Sequence, residues 1–159
     1  MIREIEDRDV EAVVSLWHLC GLTRPWNDPV TDIAFARGSS AATVLVLEEG
    51  RRIGAAVMVG HDGHRGAVYY LATHPEYRGR GCGRAIMVAA EDWLRQRGVW
   101  KLNLLVRKRN DAVLGFYAAL GYGDQDCHVL GRRLDGRADR SPVDPASSAD
   151  DLSPQAELG

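Results

Sequence analysis

Residues 78–84 read Arg-Gly-Arg-Gly-Cys-Gly-Arg, three arginines and three glycines in seven positions. Each type has a use against an anion. Glycine lacks a Cβ that would hold a ligand off the backbone, and it accepts positive φ, so successive N–H groups can converge as a nest. Arg78, Arg80 and Arg84 add charge. The chain then turns apolar at helical spacing, so the turn opens a helix. The first N–H groups of a helix lack partners, and its N-terminus carries about half a positive charge. Together these parts suit a phosphate or pyrophosphate. The nucleoside-triphosphate loop G-x-x-x-x-G-K-[ST] is absent from the chain. The dinucleotide pattern G-x-G-x-x-G, begun at Gly79, needs glycine where Arg84 stands, and no acid ends the next strand to hold a ribose. What remains is R-x-x-G-x-G, as Arg78, Gly81 and Gly83. A flexible linker or a single RGG-type RNA-binding segment accounts for it less well. Linkers are not bracketed by a buried strand and an amphipathic helix, and RGG segments repeat.

The elements that must position this turn follow from hydrophobic spacing. "MIREIE" reads as a short strand, and Asp7 is placed to cap a helix carrying Val10, Val13, Val14, Trp17 and Cys20 on one face. Asp28 and Pro29 form a cap and first position for a second helix, to about Arg37. "TVLVLEE" and "RIGAAVMVG" flank a Gly-Arg turn, and "HDGHRG" turns into "AVYYLAT". That last run is apolar almost throughout and is expected centrally in the sheet, covered on both faces. Ile86, Ala89, Ala90, Trp93 and Leu94 make one helical face, ended by Gly98. "KLNLLV" is a strand, Asn110 or Asp111 caps a helix bearing Val113, Phe116, Tyr117 and Leu120, and "DCHVLGRRL" is a final strand. The expected fold is α/β: a mixed antiparallel and parallel sheet with helices on both faces.

Length and composition bound the rest. The 159 residues suit one domain, and 26% charged residues are ordinary for a globular chain. No apolar run approaches the roughly 18 residues of a membrane helix, and the charged N-terminus is unlike a signal peptide, so a cytoplasmic location is expected. Cys20, Cys82 and Cys127 are odd in number and far apart, which argues against a disulfide framework or a zinc site. The net charge of −2 divides unevenly, with −4 from residue 135 onward and +2 before it. Residues 135–159, rich in acids, proline and serine, read as a disordered tail after a domain spanning 1–134. The body's +2 is far below the basic balance of a nucleic-acid binder.

The motif at 78–83, read with its surroundings, resembles the acyl-coenzyme-A-binding signature of the GNAT N-acetyltransferase superfamily. "YYLATHPEYRGRGCGRAIM" resembles that family's central strand, pyrophosphate loop and helix, and "NLLVRKRNDAVLGFYAALGY" its next strand and tyrosine-bearing helix. With the order of elements, the likeness covers about residues 1–134. "RPWNDP" and "GHDGHRG" further resemble a small bacterial branch, the YpeA-like acetyltransferases. The resemblance implies acetyl-CoA as co-substrate, no metal, and direct acetyl transfer to a primary amine. It implies that the loop Arg78, Gly79, Arg80, Gly81, Cys82, Gly83 and Arg84 holds the pyrophosphate. It further implies that the backbone of Leu71, Ala72 and Thr73 pairs with the pantetheine arm in a splayed gap, that Asn110 contacts that arm, and that Tyr117 is the general acid. Asn110 as a plain cap is an equal reading.

On the acceptor side, the resemblance puts "RPWNDP" over the pocket. Trp26 offers an apolar wall, and Asn27 and Asp28 offer acceptors for an ammonium, with a packed loop capped by Asp28 as the level alternative. Tyr69, Asp62, His64, His74 and Glu76 are bases by chemistry, or a water chain serves. Asn103 interrupts an apolar strand and is a further substrate candidate. Gly115, mid-helix, suggests close approach of a ligand or strand, or tolerance at a surface. Cys82 near a helix start could carry a lowered thiol pKa; a small spacer is the simpler role. The acceptor is a small-molecule, peptide or protein amine, with no nucleic acid or membrane. One clear strand follows Leu120 where the family has two, a departure that bears on the closing edge of the sheet and on any homodimer built on it. A non-catalytic acyl-CoA sensor or interaction module of the same fold is the rival reading.

Overall fold

The computed structural model describes residues 1–107 and 110–137. Five strands order as β1-β2-β3-β4-β5: β1 (Ile2–Glu4), β2 (Ala42–Glu49), β3 (Arg52–His61), β4 (Gly66–Thr73) and β5 (Leu102–Leu104). The pairings from β1 through β4 are antiparallel, while β4 and β5 run parallel across a helical crossover, so the sheet is mixed. The helices are α1 (Val10–Leu19), α2 (Pro29–Arg37), α3 (Cys82–Arg95) and α4 (Asp111–Ala119). Among the described residues, no helix is long and apolar enough to cross a membrane.

Alternation along the strands sends side chains to two cores. Val44, Val46 and Ala56 meet Val13, Trp17 and Ile33 of α1 and α2 on one face. Leu45, Leu47, Val57 and Val59 meet Ile86, Met87, Ala90 and Leu94 of α3 on the other, where Tyr117 of α4 also packs. In β4, Val68 and Leu71 share that second core although three positions apart. A regular strand would put them on opposite faces. The register gives the reason: Met58 pairs Tyr69 and Ala56 pairs Ala72, so β4 carries one extra residue at a bulge.

Four expectations need correction. Asp7 does not cap α1; a 3₁₀ turn at Asp7–Asp9 comes first, and Asp7 reaches Arg37 at 2.7 Å instead. Glu6 N–H donates to Asp9 Oδ2 at 2.8 Å, so Asp9 organises that start. The run 67–73 is covered on both faces only in part, since Tyr69 is 51% exposed, and it is central only as far as Val68, where pairing with β5 ends. The strand expected over 101–106 shortens to Leu102–Leu104. Finally, residues 126–134 form no strand, and Val129, Leu130 and Leu134 are exposed. A strand needs a ladder, β5 offers three residues of edge, and Gly131 with two arginines breaks the apolar alternation. Residues 138–159 of the expected tail lie outside the described residues.

Candidate active site

Thr73 ends β4, and the chain passes through a 3₁₀ turn, Pro75–Tyr77, into the glycine–arginine segment. Gly79 (φ 72°) and Gly81 (φ 77°) are both left-handed, a conformation that disfavours any side chain. Gly81 is the cap of α3, and the first N–H to bond back is that of Ala85, to the Gly81 carbonyl at 2.9 Å. The N–H groups of Cys82, Gly83 and Arg84 find no carbonyl among the described residues. A Cβ at Gly83 would lie 3.3 Å from Thr73 Oγ1 and 3.4 Å from the Phe116 ring, so glycine there keeps strand and helix close. Thr73 Oγ1 and Arg78 Nε are buried without partners. Arg78 turns inward beside Cys20, whose thiol burial pushes up while the guanidinium opposes the shift. Arg80 lies over the Tyr77 ring at 5.4 Å, and Arg84 Nη2 donates to the Ala119 carbonyl at 3.3 Å. Unbonded N–H groups, an orphaned hydroxyl and nearby guanidinium groups fit a diphosphate. Burial raises the Cys82 thiol above its ordinary value, so the helix start does not make it a thiolate.

A cleft opens beside β4, the strand that leads into this turn. Pairing with β5 ends at Val68–Leu104, which leaves the β5-facing edge of Leu71, Ala72 and Thr73 without a strand partner. A cavity of about 180 Å³ occupies the gap, lined by Leu71, Leu104, Val106, Asn110, Val113 and Tyr117 among others. Asn110 caps α4, its Oδ1 accepting from the Val113 N–H at 3.3 Å. Further along α4, the Tyr117 ring meets Phe116 and Tyr122 edge-on, at 5.2 and 5.6 Å. It is 8% exposed, and burial pushes its phenol up to about 12. No group among the described residues bonds its hydroxyl.

The loop between α1 and α2 borders the same cleft, since Leu22, Tyr69 and Tyr70 also line it. Asp28 is the cap of α2: Oδ1 accepts from Val30 N–H at 3.1 Å and Oδ2 from Thr31 Oγ1 at 2.5 Å. Those bonds, Thr31's first, hold its carboxyl below the usual range. Trp26 is 36% exposed beside it. Tyr70, at the β4 bulge, has φ 55°, a left-handed value that disfavours a side-chain-bearing residue by about 1–2 kcal/mol. Its ring stacks on Trp17 at 4.2 Å, its hydroxyl donates to Asp32 Oδ2 at 2.7 Å, and Asn27 Nδ2 donates to it at 3.4 Å. Burial, with the Asp32 bond, pushes this phenol up to about 12.

The family model described as acetyltransferase (GNAT) matches residues 10–122, more than half the chain. The chain belongs to the GNAT acetyltransferase family. It is 47% identical over 133 residues to an acetyltransferase of Yersinia pestis (strain Pestoides F), covering 84% of this chain and 94% of that one. The same identity and coverage hold for an acetyltransferase of Pectobacterium atrosepticum. Among solved structures, the glucosamine-6-phosphate N-acetyltransferase of Arabidopsis thaliana is similar at a TM-score of 0.67 and 20% identity, covering 85% of this chain and 98% of that one. A "predicted acetyltransferase with acetyl-CoA" from Clostridium acetobutylicum is similar at 0.67 and 17% identity, covering 83% and 95%. At those identities the structures speak to the fold alone.

In this GNAT acetyltransferase the residues singled out by sequence fall into two groups. Tyr69, Leu71, Asn110 and Tyr117 line one cleft, Ala72 and Thr73 carry β4 on from it toward the 78–84 turn, and Asn27 touches the cleft's Tyr70 at 3.4 Å, whereas Trp26 and Asp28, its neighbours in sequence, are not among the lining residues. The others do not join them. Asn103 is exposed and lines a separate groove of about 760 Å³ on the outer side of β5. Asp62 closes the β3–β4 turn by accepting from the N–H groups of His64 and Arg65, at the end of β4 remote from Thr73. His74 Nδ1 accepts from the Glu76 N–H, and Glu76 pairs with Arg52 at 3.1 Å. Gly115 is exposed, and a Cβ added there would meet nothing within 4 Å, so no ligand or strand crowds it. Sequence reasoning missed Tyr70 and Asp32. Tyr70 follows an exposed tyrosine and reads by alternation as plain core. Asp32 reads as a solvated helix position, its one signal being that it lies one turn after Asp28.

Proposed function

We propose that this GNAT acetyltransferase moves an acetyl group from acetyl-CoA to a primary amine by direct attack. The observation that carries the reading is Tyr117, which lines the gap where β4 loses its neighbour and whose hydroxyl bonds no described residue. The turn at 78–84 anchors the diphosphate through its free N–H groups, and the pantetheine arm lies along Leu71, Ala72 and Thr73 as an added strand would. A β4 N–H beyond the bulge stabilises the oxyanion as the amine lone pair attacks the thioester carbon. The C–N bond forms, the C–S bond breaks, and the departing sulfur takes its proton from Tyr117 Oη. The ammonium proton leaves to water, and solvent reprotonates the phenolate. With its phenol pushed up to about 12, Tyr117 stays protonated at neutral pH.

General-acid help of this kind is worth roughly a hundred- to ten-thousand-fold. The test is thiol release from acetyl-CoA against a panel of primary amines, with CoA affinity measured by calorimetry. Tyr117→Phe is expected to keep CoA binding and lose at least about a hundredfold in kcat. Undiminished kcat in that variant would remove Tyr117 from the chemistry, and absence of thiol release with every amine would remove the reaction.

A further inference from the structure

Behind Tyr70, which lines the cleft, α2 holds a carboxylate that the acetyl-transfer chemistry leaves unused. Asp32 accepts from Tyr70 Oη on Oδ2 at 2.7 Å; its Oδ1 accepts from no described residue, and no cation among the described residues pairs with it. Asp28, one turn earlier, is different, because both of its oxygens serve the helix cap. Arg24, the basic residue of that loop, gives Nη1 to the carbonyls of Gly21 and Thr23. Tyr70 itself lines the cavity, so Asp32 stands one tyrosine side chain away from the β4 backbone.

That separation matters chemically. A carboxylate in contact with the attacking nitrogen would hold it as ammonium, which has no lone pair to give. A carboxylate set back from the reacting centre suits a second positive group on the same acceptor. The geometry points to Asp32 as the residue that selects acceptors bearing a second cation, so that the substrate class is a diamine or polyamine-like amine rather than a lone primary amine. The assignment rests on the acetyltransferase reading above. Tyr70 is the positioning residue: its Oη bond, its stack on Trp17 and the Asn27 contact hold the carboxylate in place.

The experiment measures binding of 1,4-diaminobutane and of butylamine to the full chain saturated with CoA. Charge-assisted hydrogen bonds predict at least about tenfold tighter binding of the diamine. In Asp32→Asn, which keeps an oxygen for Tyr70 but no charge, that preference is expected to vanish while CoA affinity holds, which shows the variant is folded. Tyr70→Phe keeps the charge and loses the bond, so the preference is expected to persist, weakened about threefold. Equal binding of the two amines by the unmodified protein, or a preference that survives Asp32→Asn, overturns the assignment. A purely structural role for Asp32 would move both variants alike and would overturn it too. Failure of the transferase reading is visible separately, as absence of thiol release with either amine.

Discussion

Tyr117 and Tyr70 face one cleft with the same shift and different causes. Desolvation alone raises Tyr117 to about 12, whereas Tyr70 reaches about 12 through burial and its bond to Asp32. A tyrosine raised above its unfolded value of about 10 binds its proton more tightly when folded. Its contribution to stability is therefore complete below about pH 10 and is lost as pH rises toward 12. The stability advantage of the native protein over Tyr117→Phe is expected to shrink by roughly 2 kcal/mol between about pH 9.5 and 12. Urea denaturation at stepped pH reads it, and a difference that stays constant would show that burial does not hold that proton. In the proposed transfer, the same shift means that the Tyr117 proton sets no alkaline limit on turnover near neutrality.

At the scale of elements, the site is a strand end, a glycine turn and a helix start. For the proposed grip on CoA, the turn sets two left-handed glycines just before the start of α3, whose first N–H groups find no carbonyl among the described residues. Gly81→Ala meets no steric obstacle, since nothing lies within 4 Å of an added Cβ, so its effect is conformational. The expected outcome is a loss of about 1–2 kcal/mol of stability and a CoA dissociation constant raised about tenfold as the N–H array tilts. Calorimetry and thermal denaturation check both, and intact CoA affinity with lowered stability would separate the turn's fold from its binding. The β4 bulge is the companion device. One extra residue takes Tyr70 off the regular alternation, where its hydroxyl clasps Asp32, on the stretch of β4 that lies beyond its last β5 pair at Val68.

Across the whole molecule, the two helical faces are held to the sheet by apolar cores, and one ionic knot ties the start of the chain to β2. Arg3 bonds Asp9 at 2.5 and 3.0 Å and Glu48 at 2.8 Å, and Asp9 is 5% exposed. The Arg3 guanidinium is the main reason the Asp9 carboxyl sits below its ordinary value, so its stabilisation is present above about pH 4 and is lost as pH falls below that. Arg3→Ala would leave a buried carboxylate unpaired and is expected to cost about 3–5 kcal/mol near neutrality, with the deficit narrowing in acid. Urea midpoints at pH 7 and pH 3 test it, and a deficit equal at both would assign the loss to packing. The sequence by itself determined the local devices: the glycine turn, the caps at Asp28 and Asn110, the amphipathic α3, and the place of Tyr117 on α4. Each depends on residues within a few positions of one another, where backbone freedom and hydrogen-bond reach are set locally. Only the tertiary structure decided where β4 bulges, that Asp32 and not Asp28 takes the Tyr70 hydroxyl, that Asn103 faces a different groove, and that residues 126–134 make no strand. Those outcomes depend on pairing register and on the edge a neighbouring strand offers, and period-two spacing in one chain segment carries no information about either.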